Sequence, residues 1–281
     1  MVTTRRLAAT SVRPVETRPT NAAGRVLQEW RKARGLSQLA LALEAEMSAR
    51  HVSFVETGRT RASREVLLRL AEVLDVPLRD RNRLLVAGGY APAFPERPLS
   101  APELSQLRQV LGHVLVQQEP WPTVVVDRAW NVVMRNESAT RFVARLLDPF
   151  PAALAGKPNA LRLALHPDGL RRVTVNWTDV AAALLRQLHR AVHSPASDGT
   201  LEALYGEVTS YPDLPSAFAT AGVDADPIVV PLHVRTEGFE ARLLSVMSTF
   251  ARAHEVSVQE LRIETLVPDD AESMAALRSL R

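Results

Sequence analysis

The 281 residues predict a chain of two parts, an all-α part of five helices followed by an α+β part. Three observations predict it. Serine caps and glycine stops recur through the front of the chain. A proline-rich stretch then interrupts every periodic pattern. Beyond it come two β-branched runs, a helical block and three more strand-like runs, in that order.

Residues 1–20 read as a flexible tail. Asn21 or Thr20 is placed to cap a first helix, AAGRVLQEWRKAR, which stops at Gly35. Ser37 caps the second, QLALALEA. Ser48 caps the third, ARHVSFVET, and Gly58 ends it. Ser63 caps the fourth, REVLLRLAEVLD, in which Val66, Leu67, Leu70, Ala71 and Leu74 recur at helical spacing. Pro77 opens the fifth, which runs to Gly88-Gly89. These helices define a unit over residues 21–90. In YAPAFPERPLSAP, Pro92, Pro95, Pro98 and Pro102 forbid regular helix, so residues 91–102 read as a linker.

Residues 103–281 change character. ELSQLRQVLGHVLVQQ is a helix. TVVVD and WNVVMRN, joined by the turn Arg128-Ala129, read as a β-hairpin. Helices follow at 137–147, ALRLALH, WTDVAAALLRQLHRAVH, LEALYGEVTSY and LPSAFATAG, with HPDG (166–169) as a turn. The late strands are PIVVPLHVRT, EARLLSVMSTF and LRIETLVP, and DAESMAALRSL closes the chain as a helix.

Composition narrows the function classes. There is no cysteine, which removes disulfides, thiolate metal sites and cysteine nucleophiles and leaves a cytoplasmic chain as the expectation. No apolar run is long enough to span a bilayer, and the N-terminus lacks the apolar stretch of a secretory signal. Charge is divided. Residues 1–98 hold 17 Arg and Lys against 10 Asp and Glu, and residues 99–281 hold 17 against 21, which together return the net +3. A basic front joined to an acidic back is what a nucleic-acid-binding module attached to something else looks like.

The third helix sharpens this. At about 100° per residue, Val52 and Val55 share one face, while Arg50 and Phe54 point nearly opposite with Ser53 beside them. Ala49 and His51 flank that face, and Ser48 opens it. The DNA major groove admits a helix, arginine pairs bidentately with a guanine edge, and an apolar side chain meets a thymine methyl. Gln38 stands at a helix N-terminus, where donors favour a phosphate. Arg59, Thr60, Arg61 and Arg64 follow where a duplex backbone would run, and the turn Glu46-Met47 joins the two helices. The alternative is an ordinary bundle with a solvated arginine face. It must also explain an exposed Phe54 and Gln38 at a helix start.

The stretch LSQLALALEAEMSARHVSFVETGRTRASREVLLRLAEVLDVPLRDRNRLLVAGGYAP resembles the Xre/Cro-type helix-turn-helix in its MmyB-like form, over residues 24–92. The resemblance implies that Gln38 binds phosphate and that Ala49, Arg50, Ser53 and Phe54 face bases. Glu56 and Gly58 match the end of the recognition helix. Two positions depart from the pattern, Glu46 where a turn glycine is usual and Ala62 where proline is common. Glu46 then needs a positive φ, at about 1 kcal/mol.

The back half, through EPWPTVVVDRAWNVVMRNESA, LRLALHPDGLRRVTVNW, VVPLHVRT and LLSVMSTF, resembles the ligand-binding domain of the same family. That implies a PAS-like fold, a five-stranded antiparallel sheet with helices over one face and a small molecule between them. Trp121, Trp130, Met134, Phe142, Trp177, Phe239 and Phe250 are candidates to line such a cavity, with Asn136, His166, His233 and Arg235 as polar contacts. Each aromatic has a plain core reading beside this, and Asn136 is equally a helix cap.

Catalysis finds little support. His189 and His193 have metal-ligand spacing, but Arg190 stands where HExxH needs glutamate. Ser245, Ser248, His254 and Glu255 lack triad spacing, and no phosphate-cradling or dinucleotide glycine motif occurs. The expectation is a DNA-binding transcriptional regulator and homodimer on double-stranded DNA. Its back half senses a small, mostly apolar effector, an acyl-chain-like one among them, with no cofactor, no metal and no membrane. The rival readings are a back half that serves only dimerisation or partner docking, and an enzyme with a DNA-binding appendage.

Overall fold

The computed structural model describes residues 21–156, 158–195, 197–215 and 229–280. The expected tail lies outside the described residues, as does most of the helix expected at LPSAFATAG. The chain divides into two compact units. One runs through Leu74 and adds Leu84–Tyr90, and the other is Asp75–Arg83 with everything from Ala91 onward.

In the first unit α1 (Ala22–Ala33), α2 (Gln38–Glu44), α3 (Ala49–Thr57), α4 (Arg64–Val73) and the end of α5 (Leu78–Ala87) surround Leu27, Leu41, Val52, Leu67, Leu70 and Leu85, all buried. Ser37, Ser48 and Ser63 accept from the amides of Ala40, His51 and Val66, which satisfies one orphan donor at each helix start. Asn21 occupies the cap position of α1 without capping it, because its Nδ2 donates instead to the Glu56 carbonyl. Gly24 lies against the same place. A Cβ there would stand 2.5 Å and 2.6 Å from the carbonyl oxygens of Val55 and Glu56, so α1 packs on α3 only as glycine. Glu46 takes the left-handed turn expected of it, with φ 53°.

The second unit holds α6 (Ser105–Gln117), β1 (Thr123–Val126), β2 (Val132–Arg135), α7 (Glu137–Leu146), α8 (Ala160–Leu165), α9 (Trp177–Val192), α10 (Gly199–Thr209), β3 (Leu232–Thr236), β4 (Phe239–Thr249), α11 (Val256–Gln259), β5 (Arg262–Pro268) and α12 (Ala271–Ser279). The strands form one antiparallel sheet in the order β2-β1-β5-β4-β3, with α7–α10 inserted between β2 and β3. This is the five-stranded α+β unit that the sequence predicts. Residues 91–102 hold to it: the Val256 amide donates to the Pro95 carbonyl at 2.9 Å, and Arg97 pairs with Glu255 at 2.9 Å. The start of α5 does the same, with Arg79 pairing to Glu260 at 2.7 Å.

Alternation gives the sheet two faces. Val234, Phe239, Ala241 and Leu243 pack with Phe142 and Leu170 on the inner face, under the inserted helices. Val125, Leu261 and Ile263 pack with Leu111 and Leu115 of α6 on the outer face. Among the described residues no helix is long and apolar enough to cross a membrane.

Candidate DNA-reading helix and ligand cavity

α3 is fixed from behind by a buried ion pair. Arg31 of α1 donates Nε and Nη2 to Glu56 at 2.6 Å and 2.9 Å, and Nη1 to the Leu36 carbonyl at 2.7 Å. Gln38 Nε2 donates to Glu56 Oε2 at 2.8 Å. Burial pushes the Glu56 carboxyl up, and the hydrogen bonds from Arg31, Gln38 and Gln28 outweigh it, so the group lies below its ordinary value. Gln38 is therefore tied to α3 through one amide hydrogen, and an amide group carries a second.

The opposite face of α3 carries the expected set. Arg50 is exposed, while Ser53, Ala49 and His51 are half-buried and Ser48 is exposed at the cap. Phe54 is half-buried, not bare. The guanidinium carbons of Arg50 and Arg59 lie 5.1 Å and 5.7 Å from its ring centroid, so the ring carries two cations. Thr60 and Arg64 are exposed beside them. Arg61 is exposed too, and it reaches the Gly88 carbonyl at 3.4 Å and the Tyr90 ring at 5.5 Å. Gly58 ends α3 with φ 73°, and a Cβ there would stand 2.7 Å from Asn21.

In the second unit a cavity of about 380 Å³ lies between the inner face of the sheet and the inserted helices. Trp130, Phe142, Leu161, Leu170, Leu184 and Met247 supply apolar wall. Of the residues the sequence singled out, the structure brings Trp130 and Phe142 to this space. Trp130 has φ 60°, a left-handed backbone that bulky residues rarely adopt, and its ring carries the Arg262 guanidinium 4.3 Å from the centroid. Burial lowers that guanidinium below its ordinary value.

The other candidates sit elsewhere. Met134 and Phe250 pack on the outer face beneath α6. His233 and Arg235 alternate with inward Val234 and so also face outward, where Arg235 and His233 hold the Glu240 carboxyl down at about 2. Asn136 caps α7 through the Ala139 amide, accepts from Thr123 and donates to the Trp121 carbonyl, which occupies both ends of its carboxamide. Trp121 and Phe239 belong to the packed cluster at the end of the sheet. His166 packs edge-on to Tyr211 at 5.2 Å, and Trp177 carries Arg171 at 4.2 Å. The His189 and His193 rings lie 3.9 Å apart, and among the described residues no group of three His, Asp or Glu side chains gathers as a metal would need.

Sequence reasoning missed four polar groups on the cavity wall, Thr174, Gln187, Ser245 and Glu264. Gln187 repeats the helical spacing of Val180, Ala183 and Leu184, and Glu264 stands between Ile263 and Thr265 in a strand of mixed character. Both signals were in the sequence, but neither says which face is inward.

A family described as MmyB-like transcription regulator ligand binding domain matches residues 107–280, and a helix-turn-helix family matches residues 27–80. No curated protein matches the chain. A solved structure titled "Structure of an RNA-binding Light-Oxygen-Voltage Receptor" aligns with 94% of this chain and 62% of its own length. Its identity is 13% and its TM-score 0.26, from which nothing follows for this chain.

Proposed function

The chain belongs to the MmyB-like transcription regulators, with a helix-turn-helix ahead of the ligand-binding domain, and on that premise we propose which residues read DNA and what fills the cavity. α3 enters the major groove with Arg50, Ser53 and Phe54 at base edges, while Ala49, His51 and Ser48 border them. Gln38, Arg59, Thr60, Arg61 and Arg64 meet phosphates. The second unit binds a small, mostly apolar molecule, and two chains occupy a two-fold site as a dimer.

The observation that carries the sensing role is the inner-face cavity. Its volume of about 380 Å³ falls in the range of ligand sites, roughly 300–1,000 Å³, and its wall is apolar with few polar groups. A filled core would have closed it, since interiors pack as densely as organic crystals.

Native mass spectrometry of the purified chain, followed by solvent extraction, tests both points. A stoichiometric apolar molecule on a dimer is the expected result. An apo dimer that accepts no apolar probe would favour a second unit that only dimerises, and a monomer with and without DNA would remove the two-fold site.

A further inference from the structure

The chain enters α1 beside the end of α3. The Asn21 carboxamide donates to the Glu56 carbonyl at 2.5 Å, and a Cβ added at Gly58 would stand 2.7 Å from it. Gly24, three residues on, packs against the carbonyls of Val55 and Glu56. The sequence ahead of Asn21 therefore starts next to Gly58 and Arg59, at the edge of the surface assigned above to phosphates.

That sequence is basic. Residues 1–20 set Arg5, Arg6, Arg13 and Arg18 against Glu16 alone. The same sign continues onto α1. Its first turn has no acidic residue, although the helix dipole favours one there, and Arg25 closes the turn instead. Arg25 is exposed and has no acidic partner among the described residues. Arg25, Gln28 and Lys32 recur at intervals of three and four, so they share one stripe of α1. Lys32 donates to Gln28 at 3.3 Å, and Gln28 hydrogen-bonds Glu56, to which Gln38 also donates. The stripe thus runs beside α3 and Gln38. An exposed arginine set against the dipole gains little from the fold, and a phosphate beside it reverses that balance.

We propose that the chain reads DNA with a second element, a basic arm ahead of α1. Arg25 and Arg18 meet phosphates beside α3, and Arg13 enters the minor groove next to the major groove that α3 occupies, where it favours A·T pairs. Arg13 precedes Asn21 by eight residues, and a chain spans at most ~3.3–3.6 Å per residue, so it reaches up to about 26–29 Å from the end of α3. A minor groove is only about 6 Å wide, and A·T tracts narrow it further and deepen the negative potential that draws arginine. This rests on α3 as the major-groove helix and adds a second source of specificity to it.

Binding to a duplex selected from random sequence, titrated across salt, tests it. Three chains are compared with the parent: one lacking residues 2–18, one with Arg13→Ala and Arg18→Ala at full length, and Arg25→Ala. The shortened chain is expected to bind about tenfold or more weaker, and its salt slope to fall by about two, near 0.9 for each phosphate released. The double variant should show the larger part of that loss, and Arg25→Ala should lower the slope by about one on every sequence. Flanking A·T pairs are then exchanged for G·C or for inosine·C, which shows the major groove a G·C pattern and the minor groove an A·T one. The parent should tolerate inosine·C and lose affinity with G·C, and the shortened chain should treat all three alike. Unchanged affinity and slope in the shortened chain and the double variant would overturn the arm. Inosine·C as harmful as G·C, or no discrimination by the parent, would overturn its place in the minor groove. Arg50→Ala separates the two readings. If it weakens the selected duplex and the arm variants do not, the arm alone falls, and if it has no effect, the reading of α3 falls first.

Discussion

Glu56 follows Val52 by one helical turn and shares its buried face, a place where an apolar residue is the ordinary choice. It is held there by Arg31 and Gln38, so the pair fixes α3 to α1 and α2 at once. Removing one partner of a buried pair leaves the other uncompensated, and Glu56→Ala should cost about 3–5 kcal/mol, read as lost amide-exchange protection in α1 and α3. The folded carboxyl lies below its ordinary 4.5, so the pair's contribution is full above that pH and drains away as pH falls through the folded value. Glu56→Gln should remove this acid-side loss, and protection in α3 that falls with pH equally in both proteins would contradict the assignment. Arg50 works on the outward face. Its guanidinium already rests against the Phe54 ring, so less rotamer freedom is lost when it meets a base. Arg50→Ala should cost roughly 1–3 kcal/mol on a duplex selected from random sequence and relax one base position, whereas equal loss on every sequence would make it a phosphate contact.

Elements were legible where their signal is local. Ser37, Ser48 and Ser63 each announce a helix start and each makes the cap bond, because capping needs only residues three apart. Gly58 is local in the same way. Its φ of 73° and the nearby Asn21 side chain predict that Gly58→Ala costs about 1–3 kcal/mol, seen as faster exchange at the end of α3, and unchanged exchange would mean the turn relaxes freely. The cavity wall was not legible in this sense. Strand runs declared that alternate residues separate, but not which set turns inward, since a one-residue change of register exchanges the faces. Hence Met134, Phe250, His233 and Arg235, chosen for their chemistry, stand on the outer face, while Glu264 and Ser245 stand inward. The bonds that tie the start of α5 and residues 91–102 to the second unit were equally hidden. Leu78 and Gln259 meet across 181 residues of sequence, and periodicity within a window says nothing about such a pair.

At the scale of the whole chain, a regulator that senses a molecule must bind it differently in its DNA-bound and free states. The shift in DNA affinity can be no larger than that difference, and about 1.4 kcal/mol of preference is tenfold in occupancy. Linkage makes the relation reciprocal. If an apolar probe such as 1-octanol at saturation changes the dissociation constant for the selected duplex by some factor, saturating duplex must change the constant for the probe by the same factor and direction. Titrating both ways on one preparation checks this, and a duplex affinity that stays constant from empty to saturated cavity would show that the second unit does not control the first. Charge separates this from simple adhesion. Arg64 is exposed at the first position of α4, next to the end of α3, and Arg64→Ala should weaken binding to all sequences alike and reduce the salt slope by about one. Because phosphate contact and ligand preference are independent quantities, the reciprocal factor should be the same in Arg64→Ala as in the parent chain. A factor that collapses in the variant would mean that the ligand acts through the phosphate contacts themselves, not through the population of a state that binds DNA.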